Sequence, residues 1–144
     1  MTKPIKLEPQ DIRQFWDEVK PGLEEIKKCW PESNTWRLED IYAEVVNGDA
    51  VLYRTEDGFA ICTLETDKWT GNSDLFIWIA YSPKDKVGGM LKKYWPSFIE
   101  EAKRLGCKGI QTGSLHPALD SWDVMKPLYI TYRYEITEEN SGVA

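Results

Sequence analysis

The stretch Leu75-Phe76-Ile77-Trp78-Ile79-Ala80-Tyr81 decides the fold, because an unbroken apolar run of this length matches one buried strand. A strand at the surface alternates polar and apolar residues, whereas a strand in the centre of a sheet is covered on both faces. The run is rich in aromatic and β-branched side chains, which suit a pleated surface. We therefore predict a central β-strand here, with the rest of the domain arranged around it.

The segment after this strand predicts a glycine turn followed by a long helix. Gly88 and Gly89 precede apolar residues at helical spacing, and Gly106 ends that pattern. Pro96 falls among polar positions of the helix, so we expect a kink there and not a break. Residues 108–114 then predict a short strand, parallel to the central one because a helical crossover of this length usually joins parallel neighbours.

Two or three helices are expected before the central strand. A short strand over residues 4–7 precedes an apolar stripe at helical spacing, which the pair Pro21-Gly22 interrupts. Because proline favours the first position of a helix, we expect one helix to end at Lys20 and the next to begin at Pro21. A further helix is capped by Thr35 and ends at Gly48.

A hairpin and a C-terminal pair of elements complete the prediction. Residues 50–54 and 59–65 flank Thr55-Glu56-Asp57-Gly58, a turn whose glycine can take a positive φ. Residues 117–128 predict a short helix, and residues 130–137 alternate apolar and polar side chains as a last strand does.

Composition and charge exclude several classes of protein. The 144 residues, 42% hydrophobic and 29% charged, predict one globular domain over residues 1–137 with a loose tail over residues 138–144. The net charge is −6 without a basic block, so we expect no direct nucleic-acid partner. No apolar run approaches the roughly 20 residues of a membrane span. Cys29, Cys62 and Cys107 lie in apolar patterns, which predicts reduced thiols and a cytoplasmic protein.

Hydrolytic and metal chemistry have weak support. Ser114, His116 and Asp120 fall within one short loop and lack the Gly-x-Ser-x-Gly turn of a nucleophilic serine. His116 is the only histidine, and no cysteine pair stands at ligand spacing, so we expect no metal site.

The order of these elements is similar to that of the GNAT (Gcn5-related N-acetyltransferase) superfamily over nearly the whole chain. The resemblance is carried by the central strand, the turn Val87-Gly88-Gly89, the segment Glu101–Cys107 and the aromatic-rich segment Trp122–Tyr134. It implies an α/β (α+β) fold whose sheet is mixed and mostly antiparallel. One parallel pair would be joined by the long helix, with helices on both faces.

The resemblance implies a site for acetyl-coenzyme A or another acyl-coenzyme A. Backbone N–H groups at a helix start can bind a diphosphate where side chains do not obstruct it. GNAT proteins do this with a Gln/Arg-x-x-Gly-x-Gly/Ala turn, to which Lys84–Gly89 corresponds, with Val87 in place of the first glycine. The alternative is a helix start whose glycines serve only turning and packing. The implied cofactor-binding residues are Ile79, Tyr81, Lys84, Lys86, Val87, Gly88, Gly89 and Met90.

Acyl transfer to an amine also needs a base and an acid. GNAT enzymes often use a carboxylate on or near the central strands and a tyrosine after the C-terminal short helix. The central strand contains no carboxylate, so Glu65 is the expected base, and Tyr129 is the expected acid with Tyr132 as a substitute. The acceptor would be a small-molecule or protein amine that enters beside Glu65 and the Trp69 loop.

A second hypothesis is a catalytically inactive GNAT-like protein that binds another protein, such as an accessory protein of a phage. The missing carboxylate and the replaced glycine favour it. Trp36, Trp69 and Trp122 are the candidate interface anchors.

Overall fold

The computed structural model describes residues 6–29, 35–83 and 87–113, together with Met125, Arg133 and Tyr134. Within these residues the chain forms three helices and five strands. In chain order they are β1 (Pro9–Gln10), α1 (Ile12–Cys29), α2 (Leu38–Val46), β2 (Val51–Thr55), β3 (Gly58–Thr66), β4 (Ser73–Tyr81), α3 (Val87–Arg104) and β5 (Gly109–Thr112).

The five strands form one sheet in the order β1-β2-β3-β4-β5. Neighbouring strands are antiparallel except β4 and β5, which are parallel and are joined by α3. This is the mixed, mostly antiparallel sheet that the sequence predicts, and the apolar run Leu75–Tyr81 lies within β4, between β3 and β5. The predicted fold class is therefore confirmed.

Each face of the sheet carries its own apolar layer, so β4 is covered on both sides as predicted. Helix α3 covers one face, where its side chains Met90, Leu91, Tyr94 and Phe98 pack with Tyr53, Cys62 and Ile77. Helices α1 and α2 cover the other face, where Ile12, Val19, Leu23 and Ile41 pack with Leu52, Ile61 and Ile79.

Helix α1 corrects one prediction. The sequence predicted that a helix ends at Lys20 and another begins at Pro21, but α1 is a single helix with Pro21 inside it. An interior proline costs about 3 kcal/mol. Continuing the helix buries Val19 and Leu23 together on one face, where each is fully buried, and burial of such a side chain contributes about 1.5–3 kcal/mol. The two terms are of similar size, so the packing of α1 against the sheet offsets the broken hydrogen bond.

The start of α2 also differs from the prediction, and the first predicted strand is described only in part. Of residues 4–7, only Lys6 and Leu7 are described; neither lies in a strand, and Leu7 packs in the core. The first strand of the described residues is Pro9–Gln10. Helix α2 is capped by Arg37 and not by Thr35. The backbone N–H of Arg37 donates to the Asp40 carboxylate at 2.8 Å, which fixes the helix start two residues later than predicted.

The predicted glycine positions and the hairpin are confirmed. Gly48 and Gly106 follow α2 and α3 with φ of 83° and 77°, the left-handed conformation that commonly follows a helix. Gly58 closes the β2–β3 turn with φ of 152°. Pro96 lies inside α3, and the helix continues past it to Arg104, so it does not break the helix.

The C-terminal predictions fall almost entirely outside the described residues. Of the helix over residues 117–128 and the strand over residues 130–137, only Met125, Arg133 and Tyr134 are described, and the structure assigns none of the three to a helix or strand. Among the helices of the described residues, none combines the length and apolar character needed to cross a membrane.

Candidate active site

Strands β4 and β5 pair over only part of the length of β4. The parallel ladder runs from Asp74 opposite Gly109 to Ile77 opposite Thr112. At its end the Thr112 hydroxyl donates a 3.3 Å hydrogen bond to the Ile77 carbonyl. Strand β4 continues as Trp78–Tyr81, where it still pairs with β3 but, within the described residues, not with β5. Among the described residues, one edge of this stretch therefore has no strand beside it, and its backbone groups are of the kind to which an extended ligand can bind as an added strand.

A β-bulge lies at the point where the ladder ends. Ile77 and Ile79 pair with two consecutive residues of β3, so Trp78 is an extra residue without an opposite partner. As a result the side chains of Trp78 and Ile79 both pack on the α1–α2 face, and Ala80 faces α3. Bulges of this kind are common beside active sites because they redirect side chains and end pairing.

Helix α3 begins shortly after the open stretch of β4. Its first turn starts with Val87, Gly88 and Gly89, as the sequence predicts. The first N–H groups of a helix have no acceptor within the helix and carry the positive end of its dipole. Met90 is buried in the core at 2% exposure, so only its backbone is available to a ligand. Lys84 and Lys86 lie outside the described residues.

Tyr81, at the end of β4, is held from three sides. Its hydroxyl donates a 2.5 Å hydrogen bond to Oε2 of Glu25 on α1. Its ring stacks on Phe59 at a centroid distance of 5.3 Å. Helix α1 approaches both rings at Gly22, where a Cβ atom would lie 2.7 Å from Phe59 Cε1 and 2.8 Å from Tyr81 Cδ2. Glu25 is thereby placed beside the open stretch of β4.

Sequence reasoning did not single out Glu25, and it selected Glu65. A weak signal was present, since Glu25 lies three residues after Gly22 and the two positions share a helix face. Glu65 is exposed and lies opposite Asp74, at the other end of β4. Asp74 is four residues from Trp78, or about 13 Å along the strand. The structure therefore brings Ile79 and Tyr81 together with Glu25 but does not bring Glu65 to the open stretch.

The remaining candidates have no place at this site in the described residues. Tyr129, Tyr132 and Trp122 lie outside the part of the chain that the structure describes. Trp69 is 85% exposed at the tip of the β3–β4 turn, with the Lys68 ammonium 4.8 Å from its ring centroid. Trp36 is partly buried against the α1–α2 layer.

One buried carboxylate, that of Glu101, serves to hold α3 on the sheet. It accepts a 2.6 Å hydrogen bond from the Tyr53 hydroxyl and two from the Arg104 guanidinium, at 2.6 and 2.8 Å. The hydrogen bonds from Arg104 lower the pKa of Glu101, and burial raises the pKa of Tyr53. Fourteen residues of helix, about 21 Å, separate Glu101 from Val87. This network therefore stabilises the helix that carries the candidate site without taking part in the site.

The chain is similar to known proteins in its three-dimensional structure and not in its sequence. No protein-family model matches the sequence, and no curated protein matches it. A tetramutant of a Bacillus halodurans protein superposes with a TM-score of 0.67 at 11% identity, covering 92% of this chain and 100% of that one. A ribosomal-protein-alanine N-acetyltransferase from Brucella melitensis biovar Abortus 2308 gives a TM-score of 0.63 at 15% identity, covering 92% and 99%. A Trypanosoma brucei acetyltransferase gives 0.61 at 13% identity, covering 91% and 99%. Together with the sheet order and the crossover helix, this likeness establishes that the chain has a divergent GNAT-type fold.

Proposed function

We propose that the protein is an acyl-coenzyme A dependent N-acyltransferase, with acetyl-coenzyme A as the first donor to test. The observation that supports this most directly is the edge of β4 at Trp78–Tyr81, which β5 leaves open just before α3 begins. A pantetheine arm is an extended chain with amide groups, and it fits such an edge as an added strand. Several of the similar structures are named as acetyltransferases, which supports this proposal.

The point at which β4 and β5 begin to pair sets the direction in which the donor lies along β4. A diphosphate is favoured at the start of α3, where the first N–H groups have no acceptor within the helix and two glycines allow close approach. From there the pantetheine arm runs along β4 towards Trp78. It ends there, because β4 and β5 are paired from Ile77 and Thr112 back to Asp74 and Gly109 and leave no free edge. The reacting acyl group would then lie beside the bulge. Because valine replaces the first glycine of the GNAT turn at position 87, we assign the closest contacts with the diphosphate to Gly88 and Gly89.

Bound acyl-coenzyme A would supply the acyl group as a thioester. A backbone N–H group of β4 near the bulge would donate a hydrogen bond to the carbonyl oxygen, and so stabilise its charge, as the amine nitrogen forms its bond to the acyl carbon. The amine must lose a proton, and the departing sulfur must be stabilised or gain one. Tyr129 stays our prediction for the acid. Glu65 stays the predicted base from sequence, although its position on β3 allows it to act only through intervening groups or water.

The decisive experiment is thermal melting with and without acetyl-coenzyme A. A ligand at 100 times its dissociation constant adds about 2.7 kcal/mol of stability, which raises Tm by roughly 5–10 °C in a chain of this size. Desulfo-coenzyme A should give a similar shift, and free acetate should give none. An unchanged Tm at millimolar acetyl-coenzyme A would contradict the proposal. The protein-binding hypothesis, for which the exposed Trp69 is the candidate anchor, would then be preferred.

A further inference from the structure

The two faces of the open stretch of β4 differ in the side chains that they offer to an acceptor. On the α3 face lies the small apolar side chain of Ala80. On the α1–α2 face, the bulge presents the half-buried ring of Trp78, and Tyr81 lies farther along the strand on the same face. An acceptor that approaches the acyl group from this face meets aromatic rings and the Glu25 carboxylate.

Within the described part of the chain, the negative charge of Glu25 has no positive partner in an ion pair. Among the described residues, no lysine or arginine lies within ion-pair distance of its carboxylate, and its hydrogen bond from Tyr81 involves Oε2 alone. Glu25 is exposed, so its other oxygen can accept from a ligand. A carboxylate beside aromatic rings is a combination that recognises an ammonium group, through a charge-assisted hydrogen bond and cation–π attraction.

We propose that Glu25 and Tyr81 bind a cationic group of the acceptor, and that the acceptor is therefore an amine with a second positive charge. This inference rests on the proposed function for the position of the reacting amine, beside Trp78. Trp78 and Tyr81 are three residues apart, about 10 Å along the strand. An acceptor that spans this distance carries its two nitrogens several carbon atoms apart, so long diamines suit the site better than short ones. Glu25 acts here as a specificity residue and takes no part in bond formation.

Calorimetric titration of the full chain with 1,6-diaminohexane tests the site directly. We expect Glu25→Gln to weaken binding of this diamine about fivefold, the effect of losing one exposed ion pair at the upper end of its range. 1-Hexanol, which has the same alkyl chain without a positive charge, should bind wild type and Glu25→Gln equally. Glu24→Gln is the matched control, because it removes the same charge from an exposed neighbour that points about 100° away around the helix. It should change the affinity less than twofold.

Melting the same variants with acetyl-coenzyme A separates this inference from the proposed function. Glutamine still offers an oxygen to the Tyr81 hydroxyl, so Glu25→Gln should fold and should keep the shift that acetyl-coenzyme A gives. Equal diamine affinity in wild type and Glu25→Gln, or no binding of 1,6-diaminohexane to wild type at millimolar concentration, would overturn the cation site and leave the function standing. Diamine binding that depends on Glu25, without any shift from acetyl-coenzyme A, would support the cation site and contradict the proposed function.

Discussion

The hydroxyl of Tyr53 on β2 donates a 2.6 Å hydrogen bond to Oε2 of Glu101 on α3, and the two side chains are only 1% and 4% exposed as residues. This bond joins elements 48 residues apart in sequence. It fixes α3 over the sheet, and α3 carries the helix start at which we place the donor.

Replacing Tyr53 with phenylalanine should therefore destabilise the protein. A hydrogen bond to a charged group contributes about 1.5–3 kcal/mol, and removing its donor leaves a buried carboxylate oxygen with fewer partners. We expect a loss of about 2 kcal/mol in urea unfolding, with an unchanged m value. Tyr134→Phe is the control, because Tyr134 is 66% exposed and should change stability little. A Tyr53→Phe protein as stable as wild type would show that the bond adds nothing net.

The same network predicts a dependence of stability on pH. The hydrogen bonds from Arg104 hold the pKa of Glu101 below its ordinary value of 4.5 in the folded state. A lowered pKa contributes stability that is present above the unfolded value and is lost as pH falls through the folded value. Glu101→Gln should thus be less stable than wild type at pH 7, and the difference should narrow below about pH 4.5. Unfolding free energies measured between pH 7 and pH 3 test this; a constant difference would contradict it.

The central strand and its neighbours could be predicted because their signals are local. The apolar run Leu75–Tyr81 and the glycines after α2 and α3 identify their elements without knowledge of the rest of the fold. The bulge at Trp78 could not be predicted for a related reason. A bulge shifts the alternation of faces along a strand, and a strand that is apolar throughout has no alternation in which the shift could be seen.

The course of α1 and the role of Glu25 depend on contacts that are distant in sequence. Pro21-Gly22 is a helix boundary by local rules, whereas the continuous helix depends on packing against the sheet. Gly22 contributes to this packing, because the rings of Phe59 and Tyr81 leave no room for a Cβ atom there. Glu25 is one of several exposed acidic residues on α1, and its partner Tyr81 lies 56 positions away. Pairings of this kind become visible only once the helix is placed on the sheet.

Gly22→Ala should reveal how tightly α1 is packed. At an ordinary helix position this change stabilises a protein by about 0.5–1 kcal/mol, because alanine favours the helix. Here the added methyl group would lie 2.7 and 2.8 Å from the rings of Phe59 and Tyr81, so the helix or the rings must shift. Overpacking of this kind costs about 1–3 kcal/mol, and we expect net destabilisation in thermal or urea unfolding. A stabilised Gly22→Ala protein would mean that α1 lies farther from the sheet.

Gly89→Glu tests whether the diphosphate of the donor binds at the start of α3. The glutamate would add bulk and negative charge at the start of α3, where the helix dipole and open N–H groups favour an anion. We expect the shift in Tm with acetyl-coenzyme A to disappear, while the Tm of the protein alone stays within a few degrees of wild type. Asn72→Glu adds the same charge in the exposed turn before β4, at the opposite end of that strand, and should keep the full shift. Because both variants lower the net charge equally, a shift lost in both would point to long-range repulsion of the anionic donor. A shift kept in Gly89→Glu would show that the donor binds elsewhere.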